Sequence, residues 1–292
     1  MNTSEQRKLH SRAVDDSMFS FLRMHLREED MREIRMDLYH SSGEGYYIFR
    51  GFIPPDLVTH MRAIWCRTDQ PPSFRMFPGN QGFYIGCPNY FVRYDDGSAV
   101  FYNFLFAPPL DEVTLEVSIA INALRNRLSG RSASDGLHGG RALNYRVTRN
   151  LNRTSWAPAH TDWMDYERRW EKGQYDPSRL QATLLLSEKG SDYSGTGFRF
   201  STNAGRSIAF GTDVPVSPGD LVIWRYGNLH SVEDVATTPG QLGFLRLIFP
   251  IYNVPAEKPP EARAAEPFKS KLVRHGTAVA KGIARRIVER LS

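Results

Sequence analysis

The chain has 292 residues, 41% hydrophobic and 24% charged, with a formal net charge of +5. That is room for one large β domain with helical additions, or for two small domains. Two cysteines, Cys66 and Cys87, are too few for a disulfide framework and read as reduced and intracellular. No apolar run is long enough to span a bilayer, and the polar start Met1–Lys8 has no signal-peptide h-region.

In chain order, Ser17 to Leu38 is predicted helical, with Phe19, Leu22, Leu26, Met31, Ile34 and Leu38 on a loose apolar face. The charged run Arg27–Asp30 reads as a solvated face or a break. Tyr46–Ile53 is a strand by its aromatic and β-branched content. Pro54-Pro55-Asp56 then starts a helix with Leu57, Val58, Met61, Ile64 and Trp65 on one face. Residues 69–108 are rich in Pro, Gly and aromatics. They read as short strands, either an aromatic-packed sheet extension or in part a substrate lid, with Arg75 and Arg93 as candidate anion contacts. Leu110–Leu128 is a helix by the recurrence of Val113, Val117, Ile121, Leu124 and Leu128.

From Leu143 the pattern is short strands with Gly/Pro turns, which suits a barrel or jelly roll. In Leu143–Thr148 one face carries Leu143, Tyr145 and Val147. The other carries Asn144, Arg146 and Thr148 and is free to look into the mouth of the barrel. His160-Thr161-Asp162 follows. On an extended strand, a spacing of two puts both side chains on one side. Two histidines and a carboxylate on one octahedral face hold Fe(II) and leave positions open. The second histidine is expected on a later strand, at His230, which follows the turn-and-strand Ser217–Trp224. Farther on, Arg246 is a lone charge in the apolar run Leu242–Phe249. If buried, the guanidinium needs an anion, and its planar fork suits a carboxylate; on an edge strand it would simply face water.

His160-x-Asp162, then His230 and Arg246 in that order, resembles the Fe(II)/2-oxoglutarate-dependent oxygenases over roughly residues 143–252. The strand Gly219–Trp224 and the segment His230–Val235 look like the phytanoyl-CoA-hydroxylase-like and related small-molecule branches. The resemblance implies a mainly β, α+β fold with flanking helices around a double-stranded β-helix (jelly-roll, cupin-like) core. It implies iron held by His160, Asp162 and His230, and 2-oxoglutarate and O2 as cosubstrates, with Arg246 on the distal carboxylate. Many members place Ser or Thr two residues after that Arg, whereas here Ile248 stands there. Asn144 or Tyr145 is then the candidate for assisting the cosubstrate. Related halogenases lack the carboxylate at the position of Asp162, so its presence implies hydroxylation or desaturation.

The expected organisation is residues 1–142 packing on the core, 143–254 forming the catalytic core, and 255–292 forming a Pro-rich linker and a basic amphipathic helix. Nine Lys and Arg against four Glu in Ala256–Ser292 account for the whole charge surplus, leaving 28 of each sign elsewhere. The tail is a candidate for peripheral contact with an anionic membrane or for docking on protein. The body, lacking surplus charge, is not expected to bind nucleic acid. The expected location is cytoplasmic, with the inner membrane face as a peripheral site. Two substrate classes fit: a polar small molecule, or a membrane-presented sugar such as a Kdo-like lipopolysaccharide precursor. The competing readings are a jelly-roll binding module whose three ligands never meet, and a cupin-type metal enzyme that needs no 2-oxoglutarate.

Overall fold

The structure, a computed structural model, describes residues 26–66, 75–76, 84–137, 141–162 and 179–253. Its helices are α1 (Glu28–Tyr39), α2 (Pro55–Trp65) and α3 (Glu112–Leu128). Strands β1 (Tyr46–Phe49), β2 (Arg75–Met76), β3 (Tyr90–Arg93) and β4 (Ala99–Phe104) precede the main run. That run is β5 (Arg141–Asn150), β6 (Arg153–His160), β7 (Leu180–Leu185), β8 (Ser194–Ser201), β9 (Ser207–Ala209), β10 (Leu221–Arg225), β11 (His230–Ala236), β12 (Phe244–Ile248) and β13 (Ile251–Asn253).

Two sheets result. The larger runs β1-β10-β7-β12-β5-β4-β3-β2, with β13 also pairing β5; the smaller runs β6-β11-β8-β9. All these strand pairs are antiparallel except β2–β3. Strand alternation separates two cores. On the back of the larger sheet, Leu143, Tyr145, Val147, Leu184, Ile223, Leu245 and Leu247 pack against the apolar faces of all three helices. Between the sheets lie Leu185, Phe198, Phe200, Val222, Trp224, Val232 and Phe244. Each buried side chain of this size contributes about 1.5–3 kcal/mol, so register is strongly specified on both faces.

Local chemistry places the helices. The run Arg27–Asp30 is a helix start: Asp30 bonds back to the backbone and side chain of Arg27, and three acidic residues sit on the positive end of the dipole. Residues 17–25 of the predicted helix lie outside the described residues. α2 starts at Pro55, as predicted, and Asp111 caps α3 by accepting from the Thr114 amide at 2.8 Å. β1 ends at Phe49, earlier than the sequence suggests, because residues 50–53 turn. There Asp220 receives the Gly51 amide and an Arg50 guanidinium N–H.

Within the described part of residues 69–108, β3 and β4 extend the larger sheet with stacked aromatics. Tyr90 lies on Tyr102 at 4.5 Å and Phe91 on Phe101 at 5.7 Å. The sheet-extension alternative describes this part, while most of the lid expectation falls on residues outside it. Arg93 is exposed. The insertion after Asp162 and the C-terminal linker and helix also lie outside the described residues. No helix among the described residues is long and apolar enough to cross a membrane.

Candidate metal centre

His160 is the last residue of β6 and His230 the first of β11, and they are directly paired across the antiparallel ladder. The register slips beside them: two residues advance on β11 while three advance on β6. Pro158, which has no N–H to give a ladder, sits in that slip. Its carbonyl accepts from His160 Nδ1 at 2.7 Å. His230 repeats the device, Nδ1 lying 3.0 Å from the Asn228 carbonyl. A carbonyl can only accept, so each Nδ1 is an N–H, and in the neutral ring this leaves Nε2 as the ligand atom. Both imidazoles are thereby set as metal ligands by their own chain, two residues upstream.

Asp162 arrives differently from the sequence expectation. β6 ends at His160, so strand alternation does not aim Asp162. Its amide instead donates to the Tyr226 carbonyl at 3.1 Å, tying it to the β10–β11 turn that also leads to His230. The three side chains converge: one ligand atom from each of His160, Asp162 and His230 lies within 4.8 Å of the others. The ring centroids of the histidines are 4.5 Å apart. His230 Nε2 and Asp162 Oδ2 are 3.7 Å apart, too far for a hydrogen bond, and Asp162 Oδ2 is buried without one. Burial pushes the His230 pKa down, against an upward pull from Asp162, so the imidazole is neutral as a ligand must be. A buried carboxylate oxygen without a partner, between two imidazoles with free lone pairs, fits a divalent transition metal.

Arg246 stands on the inner face of β12, two residues after Phe244, and is 5% exposed. Its guanidinium lies over the rings of Phe198 and Phe244 at 5.1 and 5.5 Å, and its Nε has no hydrogen-bond partner. Among the described residues no carboxylate pairs with it. Burial pulls its pKa down to about 10, with Asp162 and Tyr193 acting in the opposite direction. A buried cation without a counter-ion is costly, and an anionic ligand removes the cost.

The inner face of the larger sheet holds further orphans. Thr148 is opposite Arg246 in register, 1% exposed, with its hydroxyl unpartnered. Asn144, fully buried, keeps an unpartnered Nδ2, while its Oδ1 accepts from Arg146 Nε at 2.8 Å. Trp224 Nε1 is likewise unpartnered, with its ring 5.3 Å from His230. Tyr145 points to the other face, into the helix-side core, and is out of position to assist a cosubstrate. Ile248 is next to Arg146, as the alternation requires. Sequence reasoning missed the proximity of Thr148 to Arg246. Thr148 was visible on the polar face of its strand, but only cross-strand register puts it beside the arginine.

No protein-family model matches the chain, and no curated protein matches it. The comparison with solved structures does return matches. A Pseudomonas putida prolyl-4-hydroxylase is 17% identical, covering 77% of this chain and 98% of its own, with a TM-score of 0.46. The epimerase SnoN, in complex with Fe3+, alpha ketoglutarate and nogalamycin RO, is 12% identical over 82% of this chain and 95% of its own, with a TM-score of 0.47. The dioxygenase for auxin oxidation in rice is 15% identical over 80% of this chain and 81% of its own, with a TM-score of 0.47. Likeness at this level leaves the chemistry of this chain to its own side chains, and those are His160, Asp162, His230 and Arg246.

Proposed function

We propose that the protein is an Fe(II)/2-oxoglutarate-dependent dioxygenase that hydroxylates an unactivated C–H of a polar small molecule. The observation that carries this is the pairing of the His160–Asp162–His230 cluster with a buried Arg246 that has no counter-ion among the described residues, in the same inter-sheet space. The order β10-β7-β12-β5 facing β6-β11-β8-β9 supports a double-stranded β-helix core. A cupin-type enzyme without 2-oxoglutarate has no use for a buried cation at Arg246, and a binding module has no use for three converging ligands.

When bound, iron, O2 and 2-oxoglutarate would supply the oxidant for the C–H, the cosubstrate leaving as succinate and CO2 with one oxygen atom of O2 in the succinate and the other in the hydroxylated product. The chain does the rest. His160 and His230, locked by the Pro158 and Asn228 carbonyls, and Asp162 would hold the metal. Arg246 takes the distal carboxylate of 2-oxoglutarate, and Thr148 donates its hydroxyl beside it in place of the missing group at Ile248. Asn144 offers its unpartnered amide on the same face. Phe198, Trp224 and Phe244 keep water from the space between the sheets. Within the substrate class, the membrane-presented sugar and the peripheral membrane contact rest on the basic tail alone; the small molecule is the reading the inner face favours.

The test is anaerobic addition of Fe(II) and then 2-oxoglutarate. A weak visible charge-transfer band is expected, lost in His230→Ala and in Arg246→Ala. A folded wild-type protein that gives no band refutes the proposal.

A further inference from the structure

We infer that Arg146 binds an anionic group of the substrate, and that the substrate is a carboxylate carried on an aromatic or otherwise flat apolar body. The inference rests on the reading given under Proposed function. Register places Arg146 in one row across the inner face of the larger sheet, in the order Tyr90, Tyr102, Arg146, Ile248, Thr183, Val222. The row one step deeper contains Thr148 and Arg246. The row one step toward the metal-bearing end contains Asn144 on β5 and Trp224 on β10. Arg146 therefore lies between the level of the metal centre and that of Arg246, but on the flank where β3 and β4 widen the sheet.

The guanidinium is held and left unneutralised. Its Nε donates to Asn144 Oδ1 at 2.8 Å, and Nη2 donates to the Tyr252 hydroxyl. It stacks over Tyr102 at 4.7 Å and Tyr252 at 5.2 Å. All these partners are neutral, and among the described residues no carboxylate pairs with Arg146. Of five N–H bonds, three remain, spread over the two Nη atoms, which is the edge that grips a carboxylate in bidentate fashion. Asn144 and the two tyrosines fix the plane in advance, which lowers the entropic cost of binding.

Charge balance gives the sign. Iron(II) and Arg246 bring three positive charges; Asp162 and the two carboxylates of 2-oxoglutarate bring three negative ones. The loaded centre is neutral without Arg146, so its charge is the surplus that a substrate anion would meet. The surroundings give the rest of the class: Tyr84, Tyr90, Tyr102, Phe104, Phe106 and Tyr252 pack together on this flank, and aromatic side chains favour flat, apolar partners.

The experiment uses the full chain, anaerobic, loaded with Fe(II) and 2-oxoglutarate. Benzoate, phenylacetate and 3-phenylpropionate are each titrated against the matching primary carboxamide, which keeps the shape and removes the charge. At least one acid is expected to bind ten-fold or more tightly than its amide. Arg146→Gln should erase that preference and Arg146→Lys should restore part of it, with 2-oxoglutarate affinity, read from the charge-transfer band, unchanged in both. Acids and amides that bind equally, or no binding by either, overturn the inference. So does a ten-fold loss of 2-oxoglutarate affinity in Arg146→Gln, which would assign Arg146 to the cosubstrate. If Arg146→Gln does not fold, the wild-type acid-to-amide ratio and Arg146→Lys carry the test. Absence of the band in wild-type protein refutes the oxygenase reading instead, and the acid-over-amide preference is then read separately on the metal-free protein.

Discussion

Replacing Arg246 with Met should stabilise the metal-free protein while abolishing its response to 2-oxoglutarate. Arg246 is 5% exposed, has no carboxylate partner among the described residues and has its pKa pulled down to about 10 by burial. A drop of that size corresponds to about 3 kcal/mol against the charged form. Methionine keeps much of the aliphatic stem over Phe198 and Phe244, so the packing loss should stay under ~1.5 kcal/mol. The net gain is about 1.5–3 kcal/mol, or roughly 5 °C in Tm for a chain of this size. The wild-type protein should in turn be stabilised by the ligand, by about 2.7 kcal/mol at a hundred times Kd, with Fe(II) present; the Met variant should show no such shift. Thermal melts with and without Fe(II) and 2-oxoglutarate read both effects. A variant that melts several degrees below wild type would mean that the guanidinium already has a stabilising partner. A variant still stabilised by 2-oxoglutarate would mean that Arg246 is not the anchor.

Thr148→Val keeps the shape and removes an unpartnered hydroxyl. Stability of the metal-free protein should change by less than ~1 kcal/mol, while 2-oxoglutarate should bind about ten-fold more weakly, the value of one hydrogen bond to a charged group. Titration of the charge-transfer band measures it, and an unchanged Kd removes Thr148 from the site. Asp111→Ala removes the cap of α3 and the acceptor of the Thr114 hydroxyl. It should cost about 1–2 kcal/mol in urea unfolding and leave the band untouched, because α3 buttresses the sheet from the side away from the metal.

Much of the site was legible because its chemistry is local. A His-x-Asp at a strand end, a later His after a turn, and a lone Arg in an apolar strand are each unusual against their neighbours, and each is costly unless it meets a partner. The alternation in Leu143–Thr148 separated Tyr145 from Asn144, Arg146 and Thr148 by face alone. The run Arg27–Asp30 left a solvated face and a break both open from sequence. The helix begins only at Glu28, after the non-helical Leu26 and Arg27, and only the hydrogen bonds of Asp30 to Arg27 show the run to be a cap as well.

What the sequence determined by itself was the inventory: which side chains are too polar for their surroundings, and on which face of each strand they stand. Convergence was decided by tertiary structure. Asp162 reaches the histidines through a backbone bond to Tyr226, 64 positions later in the chain, not through the strand spacing that singled it out. Thr148 reaches Arg246, and Arg146 reaches Tyr102, through register between strands that are distant in sequence. Periodicity fixes the side of a strand on which a residue lies. Only the hydrophobic burial of both sheet faces selects which strands pair, and at what offset.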